Sequence, residues 1–278
     1  MSIEVRQAIS PAEAKGYDTD ALRANFLIES LFVPGQVQLV YSHLDRTVVG
    51  GVMPADAPIP LVADKQIGTE YFLERRELGV FCISGAGSLT IDGDVIALQA
   101  TDCVYVPMGC KDVKFTSADA DNPAKFYLIS TPAHHRYAVR KITADDANRL
   151  DLGTQSDANQ RILRQYIHPD ICESCQLVMG MTTINDGSVW NTMPAHTHDR
   201  RSEVYLYFDM ADATRVFHFM GQPTETRHLV LAADQAILSP GWSIHCGAGT
   251  GRYSFIWSMA GDNQDFTDMD FIAMEDLR

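Results

Sequence analysis

Basic charge is scarce in this chain: 22 Lys and Arg stand against 36 Asp and Glu, a formal charge of -14. Such a balance repels phosphate backbones and anionic membrane surfaces unless a basic run compensates. The sequence has no such run. Long apolar stretches are missing too, and the first 30 residues hold none of the signal-peptide type. The expectation is a cytoplasmic protein that engages neither nucleic acid nor membrane. Cysteine is thin, six residues scattered at 82, 103, 110, 172, 175 and 246, which reads as thiols of a reducing compartment, not a disulfide framework. No histidine lies between His43 and His134, so the first half lacks imidazole ligands. Helix signals are few as well. The one clear case runs over Thr19–Ser30, with Asp18 or Thr19 as cap and Leu22, Phe26 and Leu27 on one face.

What is present is strand. A hydrophobic content of 46% with 21% charged residues describes a packed globular chain, and 278 residues suffice for two ordinary domains or one large all-β unit. Val37–Tyr41, Arg46–Val52, Leu78–Ile83, Ser88–Ile91, Cys103–Val106 and Lys125–Ile129 are short β-branched and aromatic runs separated by turn residues. Asp92-Gly93 is a hairpin signal, and a hairpin turn explains Gly85-Ala86-Gly87 better than a phosphate loop does. A similar order recurs later, through Glu203–Phe208, Arg215–Met220, Leu229–Leu231, Ala236–Leu238 and Tyr253–Met259. Glu74-Arg75-Arg76-Glu77 echoes Asp199-Arg200-Arg201-Ser202-Glu203, and Val106-Pro107-Met108-Gly109 echoes Ser239-Pro240-Gly241. The reading is an all-β fold of two barrel or sandwich halves with few short helices. The halves are placed at 1–150 and 151–278, divided in the polar stretch Thr143–Gln160.

Chemistry concentrates in the second half. In Met193-Pro194-Ala195-His196-Thr197-His198-Asp199-Arg200-Arg201-Ser202-Glu203, strand alternation sends His196 and His198 to one face. A turn then lets Glu203 open the next strand toward the same space. Ser239-Pro240-Gly241-Trp242-Ser243-Ile244-His245 adds a third imidazole after a Pro-Gly turn. Three imidazoles and a carboxylate suit a divalent transition metal with a position left open, and spacing does not choose among Zn, Mn, Fe and Ni. The first half has no such set, so it is read as structural or as an interface.

His196-x-His198-x-x-x-x-Glu203 is similar to the first cupin motif, and Pro240-Gly241-x-x-x-His245 to the second. The longer strings Tyr71–Val80, Trp190–Pro194, Met220–His228 and Ser239–His245 resemble one cupin family, the 5-keto-4-deoxyuronate isomerases, also called 4-deoxy-L-threo-5-hexosulose-uronate ketol-isomerases. The likeness covers essentially the whole chain, with departures at Ala195 and Cys246. It implies one zinc ion per subunit on His196, His198, Glu203 and His245, two cupin-like halves and a homo-hexamer. The implied reaction interconverts 5-keto-4-deoxyuronate and 3-deoxy-D-glycero-2,5-hexodiulosonate during breakdown of pectin and related uronate polymers.

Other residues stay open. Glu225, His228 or a metal-bound water is the expected proton carrier of an enediol route, which is favoured over a hydride shift. Arg200, Arg201 and Trp242 are the substrate-binding candidates, the arginines as partners of a carboxylate. His218 and the His134-His135 pair have structural or surface roles as their default, Trp190 and Trp257 belong to the core, and Cys172-x-x-Cys175 lacks the second pair a zinc site needs. Competing activities are an Fe(II) cupin dioxygenase with the same ligands and a non-enzymatic sugar-acid-binding module. The latter lacks any helix-turn-helix or basic segment that would couple sensing to DNA.

Overall fold

The computed structural model describes residues 3–278. Strands form nearly all of its regular structure, with α-helices at Pro11–Ala14 and Thr19–Phe26 and a 3-10 turn at Met274–Asp276. No helix is long and apolar enough to cross a membrane among the described residues. Asp18 caps the longer helix, its carboxylate accepting from the Ala21 N–H at 2.8 Å. This helix ends earlier than the sequence suggests. Leu27–Ile28 leaves it to pair with Ile237 and Ala236, because two apolar residues gain more as a buried sheet edge than as a fraying helical turn.

The chain divides into two compact units. One takes the residues up to Arg6, Ser30–Asn148 and Tyr166–Met179; the other takes Gln7–Glu29, Arg149–Gln165 and Gly180–Arg278. A single cut near residue 150 does not describe this division. The Leu27–Ile28 pairing puts Gln7–Glu29 with the second unit, and the backbone of Cys175–Leu177 hydrogen-bonds to Glu77 within the first.

Two sheet pairs repeat one design. In spatial order the first large sheet runs Glu4–Arg6, Gln36–Ser42, Val48–Met53, Lys125–Pro132, Arg76–Ser84, Cys103–Val106 and Arg140–Ile142. Its four-stranded companion runs Ile59–Pro60, Val113–Ser117, Ala86–Ile91 and Asp94–Gln99. The second large sheet runs Asn148–Leu152, Arg161–Ile167, Val178–Ile184, Ser254–Gly261, Arg201–Phe208, Gln235–Ser239 and Leu27–Ile28, beside Trp190–Asn191, Cys246–Gly249, Val216–Gln222 and Glu225–Leu231. Within each copy the inner strands follow the same chain order. The second copy adds a short pair, His196–Thr197 against Asp270–Phe271, with no counterpart in the first among the described residues.

Period-two alternation builds the cores. Leu78, Val80 and Cys82 share one face of Arg76–Ser84 and join Leu89, Val104, Val106, Phe115, Phe126 and Leu128 in the first core. Each large side chain so buried contributes roughly 1.5–3 kcal/mol. Asp92 and Gly93 take positive φ angles of 50° and 100° between paired Ile91 and Asp94, the backbone that a two-residue hairpin turn requires.

Candidate metal centre

His196 lies on the added short strand and His198 just beyond it, Glu203 on Arg201–Phe208, and His245 immediately before Cys246–Gly249. All four are buried. Gly241 makes the approach of these segments feasible: its carbonyl accepts from the His198 N–H at 3.2 Å, and a Cβ there would meet the His198 carbonyl oxygen at 2.6 Å.

The four side chains converge on one point. His196 Nε2 lies 3.2 Å from His198 Nε2 and 3.0 Å from His245 Nε2. Glu203 Oε2 lies 2.9 Å from His245 Nε2 and 3.4 Å from His198 Nε2. Donors held about 2.0–2.2 Å from a common ion in tetrahedral array stand roughly 3.3–3.6 Å apart, and closer as the angles approach 90°. The observed edges fit such an ion. They do not fit a self-satisfied hydrogen-bond cluster, since Glu203 Oε2 and His196 Nδ1 are buried without a hydrogen-bond partner.

Electrostatics point the same way. Burial, reinforced by the His245 and His198 rings, lowers His196 to about 2, so it is neutral and offers a lone pair at any working pH. Burial alone would raise the Glu203 carboxyl, but His245 and His198 outweigh it and hold the group well below the ordinary carboxylate range. His198 Nδ1 donates to the Asp268 carbonyl at 2.9 Å, which leaves Nε2 free to ligate. The cluster is compatible with a divalent metal ion.

The remaining candidates lie elsewhere. Arg201 is buried and donates to the same Asp268 carbonyl at 2.7 Å, so it braces His198 rather than facing the cavity. Arg200 is half-exposed and binds the carboxylates of Asp268 and Asp270, the latter at 2.9 Å. Glu225 pairs with Arg227 at 2.8 Å and Lys15 at 3.4 Å on a separate small pocket that also holds Trp242. Trp242 Nε1 donates to the Ile9 carbonyl at 3.0 Å, and its ring meets Phe26. His228 is exposed, beside Phe217 and Phe219. Neither Glu225 nor His228, the expected side-chain proton carriers, is on the lining of the metal cavity: alternation along their strand puts them on opposite faces, Glu225 at the small pocket and His228 at the surface. His218 is fully buried, its Nδ1 2.8 Å from the Tyr207 hydroxyl.

A cavity of about 200 Å³ opens on the cluster. Besides His196, His198 and Glu203 it is lined by Arg161, Thr182, Tyr205, Trp257 and a largely apolar wall that includes Leu163, Phe255 and Met259. Sequence reading passed over Arg161 and Thr182. The signal was there, since Arg161 and Leu163 alternate onto one face of a strand, but only the sheet order puts that face beside Glu203.

The model described as the KduI/IolB family matches residues 26–274. The chain belongs to this family. Among KduI/IolB relatives, the 4-deoxy-L-threo-5-hexosulose-uronate ketol-isomerase of Halalkalibacterium halodurans is 54% identical over 99% of this chain and 100% of its own. Isomerase 1 of Rhizobium meliloti is 53% identical over 100% of this chain and 99% of its own, and the Escherichia coli isomerase 50% over 99% and 100%. Among solved structures, an IolB-like protein from Salmonella typhimurium superposes with a TM-score of 0.67 at 17% identity, covering 81% of this chain and 87% of that one. A Bacillus subtilis oxalate decarboxylase variant reaches 0.54 at 9% identity, over 78% and 70%. These two attest the cupin-like fold.

Proposed function

We propose that this chain is a metal-dependent ketol-isomerase interconverting 5-keto-4-deoxyuronate and 3-deoxy-D-glycero-2,5-hexodiulosonate, with zinc on His196, His198, Glu203 and His245. The observation that carries the reading is the buried three-histidine, one-carboxylate cluster at the end of a cavity, in a chain half-identical to named ketol-isomerases along its length. A homo-hexamer with one ion per subunit, working in the breakdown of pectin and related polymers, completes the proposal. Light scattering tests the assembly and elemental analysis the metal.

A divalent ion at this site supplies Lewis-acid polarisation of the substrate's carbonyl and hydroxyl oxygens. The chain's own residues do the rest. Phe255, Trp257, Met259 and Phe266 wall the cavity with apolar surface, which excludes water from an open-chain dicarbonyl. Outside the cluster, no carboxylate and no imidazole of the described residues is on the lining. With the four cluster residues engaged, the ionisable side chains left on the lining are Arg161 and Tyr205, and burial raises the Tyr205 hydroxyl well above its ordinary range, which makes it a poor acceptor for a proton from C2. That favours, against the sequence expectation, a hydride shift in which the C2–H pair moves to C1 and the C2 hydroxyl proton passes to O1.

Turnover in deuterated water, followed by NMR, tests activity and route together. The expected result is the ketose product without deuterium at C1. Label at C1 would overturn the hydride route and leave the isomerase intact. Stoichiometric oxygen uptake by an iron-loaded protein would instead favour a dioxygenase.

A further inference from the structure

Arg161 begins the Arg161–Ile167 strand and, among the described residues, is the only Lys or Arg lining the metal cavity. Its Nη1 donates to the Asn159 carbonyl at 2.8 Å, while Nε is buried without a partner. The ionisable groups that bear on it are the hydroxyls of Tyr205 and Tyr253, and no carboxylate is among them. Two further donors on the same lining are buried and unpartnered, Thr182 Oγ1 and Trp257 Nε1. Thr182 is 1% exposed and Trp257 3%.

The strands bearing these groups are neighbours in the sheet. Arg161–Ile167 adjoins Val178–Ile184, then Ser254–Gly261, then Arg201–Phe208 with Glu203. Three strand spacings span about 14 Å. A long arginine side chain from one side and an extended six-carbon acid from the other can close such a gap. Unpaired buried donors are costly, and a desolvated guanidinium with no counter-ion favours an anionic acceptor, above all a planar carboxylate.

We propose that Arg161, Thr182 and Trp257 form the subsite for the substrate's C6 carboxylate, fixing which end of the chain meets the metal cluster. The assignment rests on the isomerase reading and adds a determinant of specificity to it. A neutral sugar of the same length leaves the Arg161 guanidinium half-buried without an anionic partner, so it is rejected.

The test compares the keto-uronate with its uncharged C6 methyl ester in wild type, Arg161→Gln, Arg161→Lys and Thr182→Val, with bound metal measured in each. Wild type is expected to prefer the acid by at least about tenfold in kcat/KM. Arg161→Gln should raise KM for the acid about 10- to 100-fold, leave the ester's KM and the metal content near wild type, and abolish the preference. Arg161→Lys should keep part of it. Thr182→Val, a near-isosteric change that guards against misfolding of the arginine variants, should raise KM for the acid about threefold or more and spare the ester. An acid KM within twofold of wild type in Arg161→Gln, equal losses for acid and ester, or a wild type indifferent to the charge would each overturn the assignment while leaving the isomerase standing. A wild type that turns over neither compound would overturn the isomerase reading and this subsite with it.

Discussion

Glu77 and Glu203 open corresponding strands in two copies of one sheet, one residue out of step, so alternation sends them to opposite faces. Leu78 holds the place of Glu203: Leu78 pairs with Val106, just before Pro107, and Glu203 with Ser239, just before Pro240. Both carboxylates are buried. Glu77 is saturated: the hydroxyls of Tyr105 and Thr131 donate to it at 2.8 and 3.0 Å, and the backbone N–H groups of Cys175, Gln176 and Leu177 at 2.7, 2.9 and 2.9 Å. Glu203 faces three imidazoles that share too few protons to satisfy it. The added strand pair His196–Thr197/Asp270–Phe271 is what brings two of those imidazoles. A carboxylate at the head of the strand is thus a structural knot in one unit and a ligand candidate in the other, and the face it takes decides which.

Removing each carboxylate should break the comparison in opposite ways. Alanine at His196, His198, Glu203 or His245 should lower bound metal and cut activity about a thousandfold or more, as loss of several kcal/mol of charge stabilisation implies. The first unit's stability should stay unchanged. Wild-type metal content in two of the four variants would refute the ligand assignment. Glu77→Ala should do the reverse, stranding five donors, three of them fully buried, at a cost of about 3–5 kcal/mol while sparing the metal in whatever protein stays folded. Urea unfolding with metal analysis reads both, and a loss below about 1 kcal/mol would show that water replaces the carboxylate.

The metal cluster was legible in the sequence because its geometry is local. His196 and His198 need only strand alternation, Glu203 a short turn after them, and His245 a Pro-Gly redirection. Glu77 and Arg161 were not legible, since one is defined by a segment 98 residues on and the other by strand order across a sheet. Repetition of the fold showed in the echo of Glu74–Glu77 with Asp199–Glu203. The exchange of Gln7–Glu29 and Tyr166–Met179 between units did not, because it depends on tertiary pairing that overrides the helical propensity of Leu27 and Ile28.

Acid should separate the units further, by a smaller amount. Burial lowers His218 to about 3 from an ordinary 6.5, whereas in the first unit His43, His134 and His135 are exposed and half-buried His168 is lowered less. The folded second unit refuses a proton that its unfolded chain accepts between those values. Its stability is therefore fully present above pH 6.5 and is lost as pH falls toward 3, by roughly 1.4 kcal/mol per pH unit within the window. Unfolding of metal-stripped protein, followed by hydrogen exchange, should show the second unit opening first on acidification, and His218→Phe should make the dependence shallower while the share of buried His196 remains. Equal acid sensitivity of both units would count against the contrast.

The smallest expected effect lies in the arginine pairs of the echoed motif. Both copies bury the second arginine: Arg76 donates to the Ser130 and Arg46 carbonyls at 2.8 and 2.6 Å, and Arg201 to that of Asp268. The first arginines diverge. Arg75 reaches Glu74 only at 3.7 Å on the surface, and Arg75→Gln should change neither metal affinity nor rate. Arg200 grips Asp268 and Asp270, the segment whose Asp268 carbonyl orients the His198 ring. Direct partners of ligating histidines are worth about 10- to 100-fold in metal affinity. Arg200 acts one step further out, and Arg201 still holds the same carbonyl, so Arg200→Gln should weaken metal binding by only about two- to fivefold. Competition with a chelating dye resolves a difference of that size. If Arg200→Gln matches Arg75→Gln, the ion pair fastens the surface alone, and Arg201 suffices to set the His198 ring.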